Sequence, residues 1–236
     1  MRIDRFLSQS GLASRKEIAK AAKGGHICVN GVCIKDCSLH IDPDTDKVTF
    51  FGEPVKNEAF VYVLLNKPEG YVSATEDSRF PPVTDLLDPV LQKRGLFPCG
   101  RLDKDTVGLI LLTDDGALAH LLLSPKRHVP KTYRFTCAEP LCKEAEQAFS
   151  QGMTLGNGDV LKEAQLCCDE GRMAGTVKIV EGKYHQIKRM FGALNNRITT
   201  LERVSFGPLS LDGSLQRGKY RALTEEEIAA LRCAVK

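Results

Sequence analysis

A run of aliphatic side chains between glycines and turn-forming residues most constrains how this chain can fold. It lies in the segment GRLDKDTVGLILLTDDG, from Gly100 to Gly116. Such a run predicts a strand buried in a core, so the residues just before it occupy a loop mounted on a rigid element. Arg101 and Asp103 lie two positions apart in that loop. A carboxylate held there is suited to act as a nucleophile, a general base or a metal ligand.

The composition is that of an ordinary globular protein, with 236 residues, 42% hydrophobic and 27% charged. This length suits one large domain or two smaller ones. No apolar run approaches membrane-spanning length, and the first residues lack the apolar core of a secretory signal. We therefore expect a cytoplasmic protein whose nine cysteines are reduced thiols.

Positive charge is concentrated at the start of the chain. The formal net charge is +3, but residues 1–35 alone carry seven basic and two acidic side chains. A concentrated basic face is typical of a protein that binds a phosphate backbone. The alternative is a solvated helix face, and charge alone does not decide between the two.

The first fifty residues have the local signals of a small binding module. Apolar spacing predicts a short first helix that Gly11 can close. Ser14 and Glu17 form a capping-box pattern ahead of a basic second helix. Asn30-Gly31, between alternating residues, predicts a tight hairpin, because both positions of such a turn need positive φ. Two helices and a hairpin give a core more suited to binding than to catalysis.

A group of histidines and cysteines in this module raises the question of zinc. Their spacing lacks a Cys-x-x-Cys pair, so we interpret them as small buried side chains rather than as metal ligands. The group comprises His26, Cys28, Cys33, Cys37 and His40.

A polar, turn-rich stretch from Gly52 to Ala59 reads as a linker, with the domain boundary near Asn57. Beyond it, many short strand patterns alternate with a few helical ones, which predicts an α+β domain with a mostly antiparallel sheet. We expect one helix capped by Thr113 or Asp114, one opened by Pro140, one within residues 181–196, and a last one capped by Thr224 with Glu227.

Three motifs stand out together: GRLDKDTVGL, the KTY of residues 131–133, and EGKYHQIKRMF, residues 181–191. In this set and order they resemble the motifs of the pseudouridine synthases, and the residues within each motif are similar to those of the RsuA family. The resemblance spans essentially the full chain and implies the pseudouridine synthase fold for residues 58–236. It also implies that Asp103 is the catalytic aspartate, that Tyr133 stacks on the target base, and that Lys188 pairs with the catalytic carboxylate.

Residues 1–57 resemble the RNA-binding module named after small-subunit ribosomal protein S-four. This implies that the second helix, with Arg15, Lys16 and Lys20, lies against folded RNA. In the catalytic domain, the resemblance implies that Arg101 enters or braces the RNA helix vacated by the flipped nucleotide. Further candidates for RNA contact are His185, Gln186 and Arg189; Gln186 is also a candidate for ordering the site, and Arg189 for sharing the role of Lys188.

The implied activity is isomerisation of a uridine in 16S ribosomal RNA, by a monomer that acts on a 30S assembly intermediate. The product has the same atoms as the substrate, so the reaction needs no cofactor. A 23S-directed relative, and a non-catalytic RNA-binding factor, are alternatives. A metal-dependent nuclease using Asp103, Asp105, Asp114 and Asp115 is another.

Each site residue also has an ordinary structural interpretation. Asp103 could cap a turn. Spacing alone does not distinguish it from Asp105, two positions further on, so either residue could take a role that is assigned by spacing. Tyr133 could be a strand aromatic, and Lys188 and Arg189 could form a solvated helix face.

Overall fold

The structure is a computed structural model that describes residues 1–10, 12–43, 45–55 and 60–235. The chain divides into two compact units. One is Met1–Phe60 with Asp88–Gly95, and the other is Val61–Leu87 with Leu96–Lys236. The boundary expected near Asn57 and the helix end expected at Gly11 lie outside the described residues.

The first unit has a small core of aliphatic side chains and one phenylalanine, all contributed by its helices and strands and by Ile41. The capping box is confirmed: the backbone N–H of Ser14 donates to Glu17 Oε2 at 2.8 Å, and the Ser14 hydroxyl accepts from the Glu17 N–H. The hairpin is also confirmed, with φ of 50° at Asn30 and 82° at Gly31. The elements are α1 (Ile3–Gln9), α2 (Arg15–Lys23), β1 (Ile27–Val29), β2 (Val32–Cys33), β3 (Val48–Phe50), β4 (Glu53–Val55) and α3 (Pro89–Lys93). The strands form an antiparallel sheet in the order β2-β1-β3-β4.

The cysteines of this hairpin correct the expectation of nine free thiols. The register of β1 and β2 sets Cys28 opposite Cys33, and their sulfurs are joined in a disulfide. The two-residue turn at Asn30-Gly31 sets this register, and the expectation of free thiols rested instead on the expected cytoplasmic location. Among the described cysteines, the other seven are free thiols.

The second unit is built on one mixed sheet with helices. Its strands run in the order β13-β5-β7-β11-β8-β10-β9, with β12 on β11 and β6 on β7. The expected α+β fold with a mostly antiparallel sheet is confirmed: within the described residues, β7 and β11 pair in parallel and the other pairs are antiparallel. The strands are β5 (Tyr62–Lys67), β6 (Phe97–Cys99), β7 (Val107–Thr113), β8 (Lys131–Cys137), β9 (Gln165–Cys168), β10 (Ala174–Ile179), β11 (Ile198–Phe206), β12 (Leu209–Ser210) and β13 (Tyr220–Ala222). The helices are α4 (Gly116–Leu123), α5 (Ala145–Ser150), α6 (Gln186–Ala193), α7 (Glu225–Cys233) and a 3₁₀ turn, Val83–Leu86.

A glycine allows the close approach of β7 to β11. In their parallel register Gly108 lies opposite Arg203. Gly108 has a φ of 100°, and a Cβ there would overlap the carbonyl oxygen of Arg203. A side chain at this position would push the two strands apart, which explains why the aliphatic run contains a glycine.

Two predicted helix starts are wrong, and in both cases long-range hydrogen bonds decide the start. Helix α4 is capped by Asp115, whose carboxylate accepts from the Leu118 N–H at 2.9 Å, because Asp114 accepts instead from the N–H of Val61. Helix α5 begins at Ala145 rather than near Pro140, because Leu141 bonds to the carbonyl of Arg172. The capping box at the start of α7 is confirmed.

Within the described part of the chain, no helix has the length and apolar character needed to cross a bilayer.

Candidate active site

The sheet register brings two of the three sequence motifs together. Arg203 on β11 lies opposite Gly108 on one side and opposite Tyr133 of β8 on the other. The N-terminal end of β7 therefore lies two strands from Tyr133. The loop that carries Asp103 leads into that end of β7, and Asp103 and Tyr133 line the same cleft.

The third motif, on α6, completes a narrow cleft. The three residues for which the resemblance implies catalytic roles, Asp103, Tyr133 and Lys188, all line it, as does Arg101. Tyr133 is buried in the wall, whereas Arg101 is exposed. The other lining residues are Leu102, Thr106, Ile179, Gly182, Lys183, His185, Gln186, Ile187 and Leu201.

The ammonium group of Lys188 bridges two carboxylates of the loop. Its Nζ lies 3.0 Å from Asp103 Oδ2 and 2.5 Å from Asp105 Oδ1. Burial acts to lower the pKa of Lys188, but the hydrogen bonds and charges of these two carboxylates outweigh it and raise the pKa. Burial acts to raise the pKa of Asp105, but the hydrogen bond and the charge of Lys188 outweigh it, so the pKa of Asp105 lies below its usual value. Lys188 therefore remains a cation over the physiological pH range.

Burial distinguishes the two carboxylates that the sequence left in competition. The side chain of Asp103 is 29% exposed and faces the cleft with Tyr133, whereas that of Asp105 is 58% exposed. Asp105 lines a separate depression with Pro68 and Arg217. The geometry thus places Asp103, rather than Asp105, in the cleft that Tyr133 lines.

His185 makes a contact that the sequence analysis did not foresee. Its Nε2 lies 3.4 Å from Asp103 Oδ1, and its ring stacks on that of Tyr184 with centroids 3.9 Å apart. His185 precedes α6 in the left-handed region, with a φ of 48°. Such backbone conformations in non-glycine residues are concentrated at functional sites. The left-handed turn shortens the predicted helix, which starts at Gln186.

Arg189 does not share the role of Lys188. Its guanidinium donates to Asn157 at 2.5 Å and to Asp159 at 2.6 Å, and so binds a loop rather than Asp103. The hydrogen bonds from Asn157 and Arg189 lower the pKa of Asp159 to about 2. The cation beside Asp103 is therefore Lys188.

Gln186 is buried and uses both ends of its amide within the protein. Its Oε1 accepts from the Lys183 N–H, and its Nε2 donates to Glu181, both at 2.9 Å. This burial favours the ordering role over a direct contact with RNA.

Three further candidates lie in the first unit. Arg15, Lys16 and Lys20 are on α2, where all three side chains are exposed. They do not line the cleft.

The largest omission of the sequence analysis is Lys67, at the end of β5. Its side chain is fully buried. Its Nζ donates to four backbone carbonyls, those of Pro68, Asp103, Lys104 and Thr106, at 2.8–3.2 Å. Burial lowers the pKa of Lys67 to about 8, although the charges of Asp105 and Asp103 act in the opposite direction. One ammonium group thus holds the Asp103 loop by its main chain. A lysine ending a strand that reads as wholly buried is the signal that could have revealed it.

The nuclease hypothesis needs carboxylates that converge, and the fold separates them. Asp103 precedes β7, whereas Asp114 and Asp115 follow it, so the length of a seven-residue strand, about 20 Å, separates them. Asp114 and Asp115 are engaged by the Val61 N–H and by α4. Among the described residues, no group of three or more His, Cys, Asp or Glu side chains is arranged to hold a metal ion.

Comparison with known proteins gives two family matches and several full-length relatives. Residues 61–193 match the family model of RNA pseudouridylate synthase, and residues 1–46 match that of the S4 domain. The chain is 46% identical over 234 residues to the uncharacterized RNA pseudouridine synthase YtzG of Bacillus subtilis, covering 98% of each chain. It is 39% identical to ribosomal small subunit pseudouridine synthase A of Escherichia coli K12, covering 98% of this chain and 100% of the relative. A crystal structure of a pseudouridylate synthase is 37% identical and superimposes with a TM-score of 0.69, covering 98% of this chain and 99% of the other.

Proposed function

Because this chain belongs to the RNA pseudouridylate synthase family, we propose that it isomerises a uridine of small-subunit (16S) ribosomal RNA, with Asp103 as the catalytic carboxylate. One observation carries the proposal: Asp103 lies in a single cleft with the ring of Tyr133 and the ammonium group of Lys188. The choice of 16S RNA rests on the names of relatives such as the Escherichia coli enzyme.

The reaction requires one bond to break and another to form. The ribose C1′–N1 bond is cleaved, the uracil rotates, and C5 bonds to C1′. The proton on C5 leaves to solvent and N1 gains one, so substrate and product are isomers. Attack by Asp103 on the ribose or on the uracil ring needs the ionised carboxylate. The Lys188 ammonium group lies 3.0 Å from Asp103 Oδ2, beside the attacking group.

The base must leave its stack to reach this cleft. Tyr133 presents an aromatic ring in the cleft wall, and a base stacked on such a ring regains part of the unstacking free energy, about 1–3 kcal/mol. Arg101, exposed at the rim, is placed to enter or brace the RNA helix that the nucleotide vacates. We also assign contacts with the RNA to His185, which lies beside Asp103, and to Arg189 of α6.

We assign RNA docking to residues 1–57 and catalysis to residues 58–236. The enzyme acts as a monomer in the cytoplasm on a 30S assembly intermediate, where the target nucleotide is still accessible.

Tritium release tests the activity and the substrate together. With uridine labelled at C5, isomerisation liberates tritium into water. The assay compares 16S RNA, 23S RNA and partly assembled 30S particles. Release from 16S RNA or its particles is expected. Release from 23S RNA alone would move the substrate to the large subunit, and no release from any of them would favour a non-catalytic RNA-binding factor.

Substitutions at Tyr133 test the stacking role. Tyr133→Phe is expected to retain most activity, because the ring is kept. Tyr133→Leu is expected to lower kcat/KM by about 5- to 150-fold, which corresponds to 1–3 kcal/mol of stacking. Equal activity of the two variants, with thermal unfolding checked for both, would contradict a stacking role.

The basic helix α2 is expected to set the salt dependence of RNA binding. Each lost phosphate contact reduces the slope of log Kd against log salt by about 0.7–0.9. Replacing both Arg15 and Lys16 by alanine should therefore weaken binding and flatten that slope by about 1.5. Lys143→Ala, which removes one exposed cation from the second unit, is the matched control. An unchanged slope in the double variant would remove α2 from the RNA interface.

A further inference from the structure

A second depression, in the first unit, has an aromatic floor. It lies between α2 and the turn that follows β3, and has a volume of about 540 Å³. Phe51, His26 and Leu12 line it together with Lys20. All four of these side chains are exposed, and Phe51 is 59% exposed.

Phe51 occupies a backbone position that suits other residues better. Phe50 pairs with Glu53, so Phe51 and Gly52 form a two-residue hairpin turn, with φ of 52° and 85°. The hairpin between β1 and β2 has the same pattern of positive φ and uses Asn30-Gly31, the preferred residues. An exposed phenylalanine in the left-handed region is strained and adds little to folding, which points to a role in binding.

Neighbouring rings hold Phe51 in place. The ring of His26 stacks beneath it, with centroids 4.4 Å apart and an interplanar angle of 16°, and Phe50 meets it edge-on at 4.8 Å. The Phe51 N–H donates to the His26 carbonyl at 2.7 Å. Gly24 leaves room for the imidazole, since a Cβ there would lie 2.8 Å from its Cδ2. Phe51 is thus a supported flat surface with its outer face open.

The charge beside this surface favours a nucleotide over an apolar peptide. Lys20 lines the depression, and Arg15, Lys16 and Lys23 are exposed on the same helix. Glu17 also lines it, but its carboxylate is engaged by Ser14 in the capping box. A flat π surface beside a row of cations matches a base and its phosphates.

Resting on the proposed function, which makes RNA the substrate, we propose that this depression binds an unpaired nucleobase of the RNA. The base stacks on Phe51, and its phosphate lies at Lys20. Its lining residues differ from those of the cleft that holds Asp103.

A fluorescence experiment tests base stacking directly. The chain contains no tryptophan, so Phe51→Trp in the full-length protein introduces a single indole at the proposed surface. The probes are a riboadenylate hexamer and an abasic hexamer with the same number of phosphates. Quenching by the first but not by the second is expected. Equal quenching by both, or none by either, would overturn the proposal.

Affinity for 16S RNA gives the second measurement. Phe51→Leu should raise Kd by about 5- to 150-fold, the equivalent of one stacked base, whereas Phe51→Tyr should bind as the wild type does. The salt slope should not change, because the substitution removes a stacking surface and not a cation. Wild-type affinity of Phe51→Leu would refute the proposal. If that variant bound naked RNA normally and lost affinity only for protein-containing particles, the depression would belong to a protein partner instead.

These outcomes are independent of the catalytic proposal. Quenching by the riboadenylate hexamer without tritium release would keep the nucleobase site and reject the isomerase. Tritium release together with wild-type affinity of Phe51→Leu would keep the isomerase and reject the nucleobase site.

Discussion

Asp103→Asn is expected to abolish tritium release while RNA affinity stays at the wild-type level. Asparagine keeps the size and shape of the side chain but has neither the negative charge nor the nucleophilicity of the carboxylate. Loss of a nucleophile lowers turnover by at least about 10⁴-fold in well-studied enzymes. Affinity should survive, because the proposed RNA contacts lie on cationic and aromatic side chains elsewhere. The measurement is single-turnover tritium release at saturating enzyme, with Kd determined separately by filter binding.

Asp105→Asn provides the matched control. Asp105 lies two positions further along the same loop and contacts the same ammonium group, at 2.5 Å. Its removal leaves Lys188 paired with Asp103 at 3.0 Å, so we expect turnover to fall only slightly. If Asp105→Asn were inactive and Asp103→Asn active, the catalytic role would move to Asp105 and the cleft would lose its proposed function.

Local signals in the sequence predicted local structure well. The capping boxes at Ser14 and Thr224 and the turn at Asn30-Gly31 are all confirmed. In each case the residues that decide the conformation are neighbours in the chain, so the pattern contains the cause. The starts of α4 and α5 were wrong because Val61 and Arg172, far away in sequence, bond to the backbone or side chains that would otherwise begin those helices.

The candidate site shows the same division. The resemblance to the pseudouridine synthases implied that Asp103, Tyr133 and Lys188 act together, and the structure places all three in one cleft. The sequence could not show in which direction the neighbouring side chains of α6 point. In the structure Lys188 pairs with Asp103, whereas Arg189 pairs with Asp159. Nor could the sequence show that His185 adopts a left-handed conformation beside Asp103.

The hydrogen bonds that hold the Asp103 loop could not be predicted from any local sequence pattern. Four carbonyls from two separate segments converge on Lys67 Nζ, and only the pairing of β5 with β7 brings those segments together. The sequence alone indicates only a buried strand that ends at Lys67 and Pro68. In the folded protein, the hydrogen bonds of Lys67 hold the main chain of the loop that positions Asp103.

Lys67→Met is therefore expected to reduce turnover strongly, although Lys67 does not line the cleft. Methionine fills a similar volume but donates no hydrogen bond, so the carbonyls of Asp103, Lys104 and Thr106 lose their shared donor. Leaving buried acceptors unpaired costs about 1–3 kcal/mol, and a shift of about 1 Å in a catalytic group lowers its rate by about 10²-fold. We expect kcat to fall by this order with little change in KM, measured by steady-state tritium release.

Lys131→Met separates positioning from general destabilisation. Burial also lowers the pKa of Lys131 to about 8, but its Nζ donates to the carbonyl of Val129 rather than to the Asp103 loop. Both variants should therefore unfold at lower temperature, whereas only Lys67→Met should lose turnover at a temperature where both remain folded. Equal losses of kcat in the two lysine variants would show that Lys67 contributes stability and not the placement of the carboxylate.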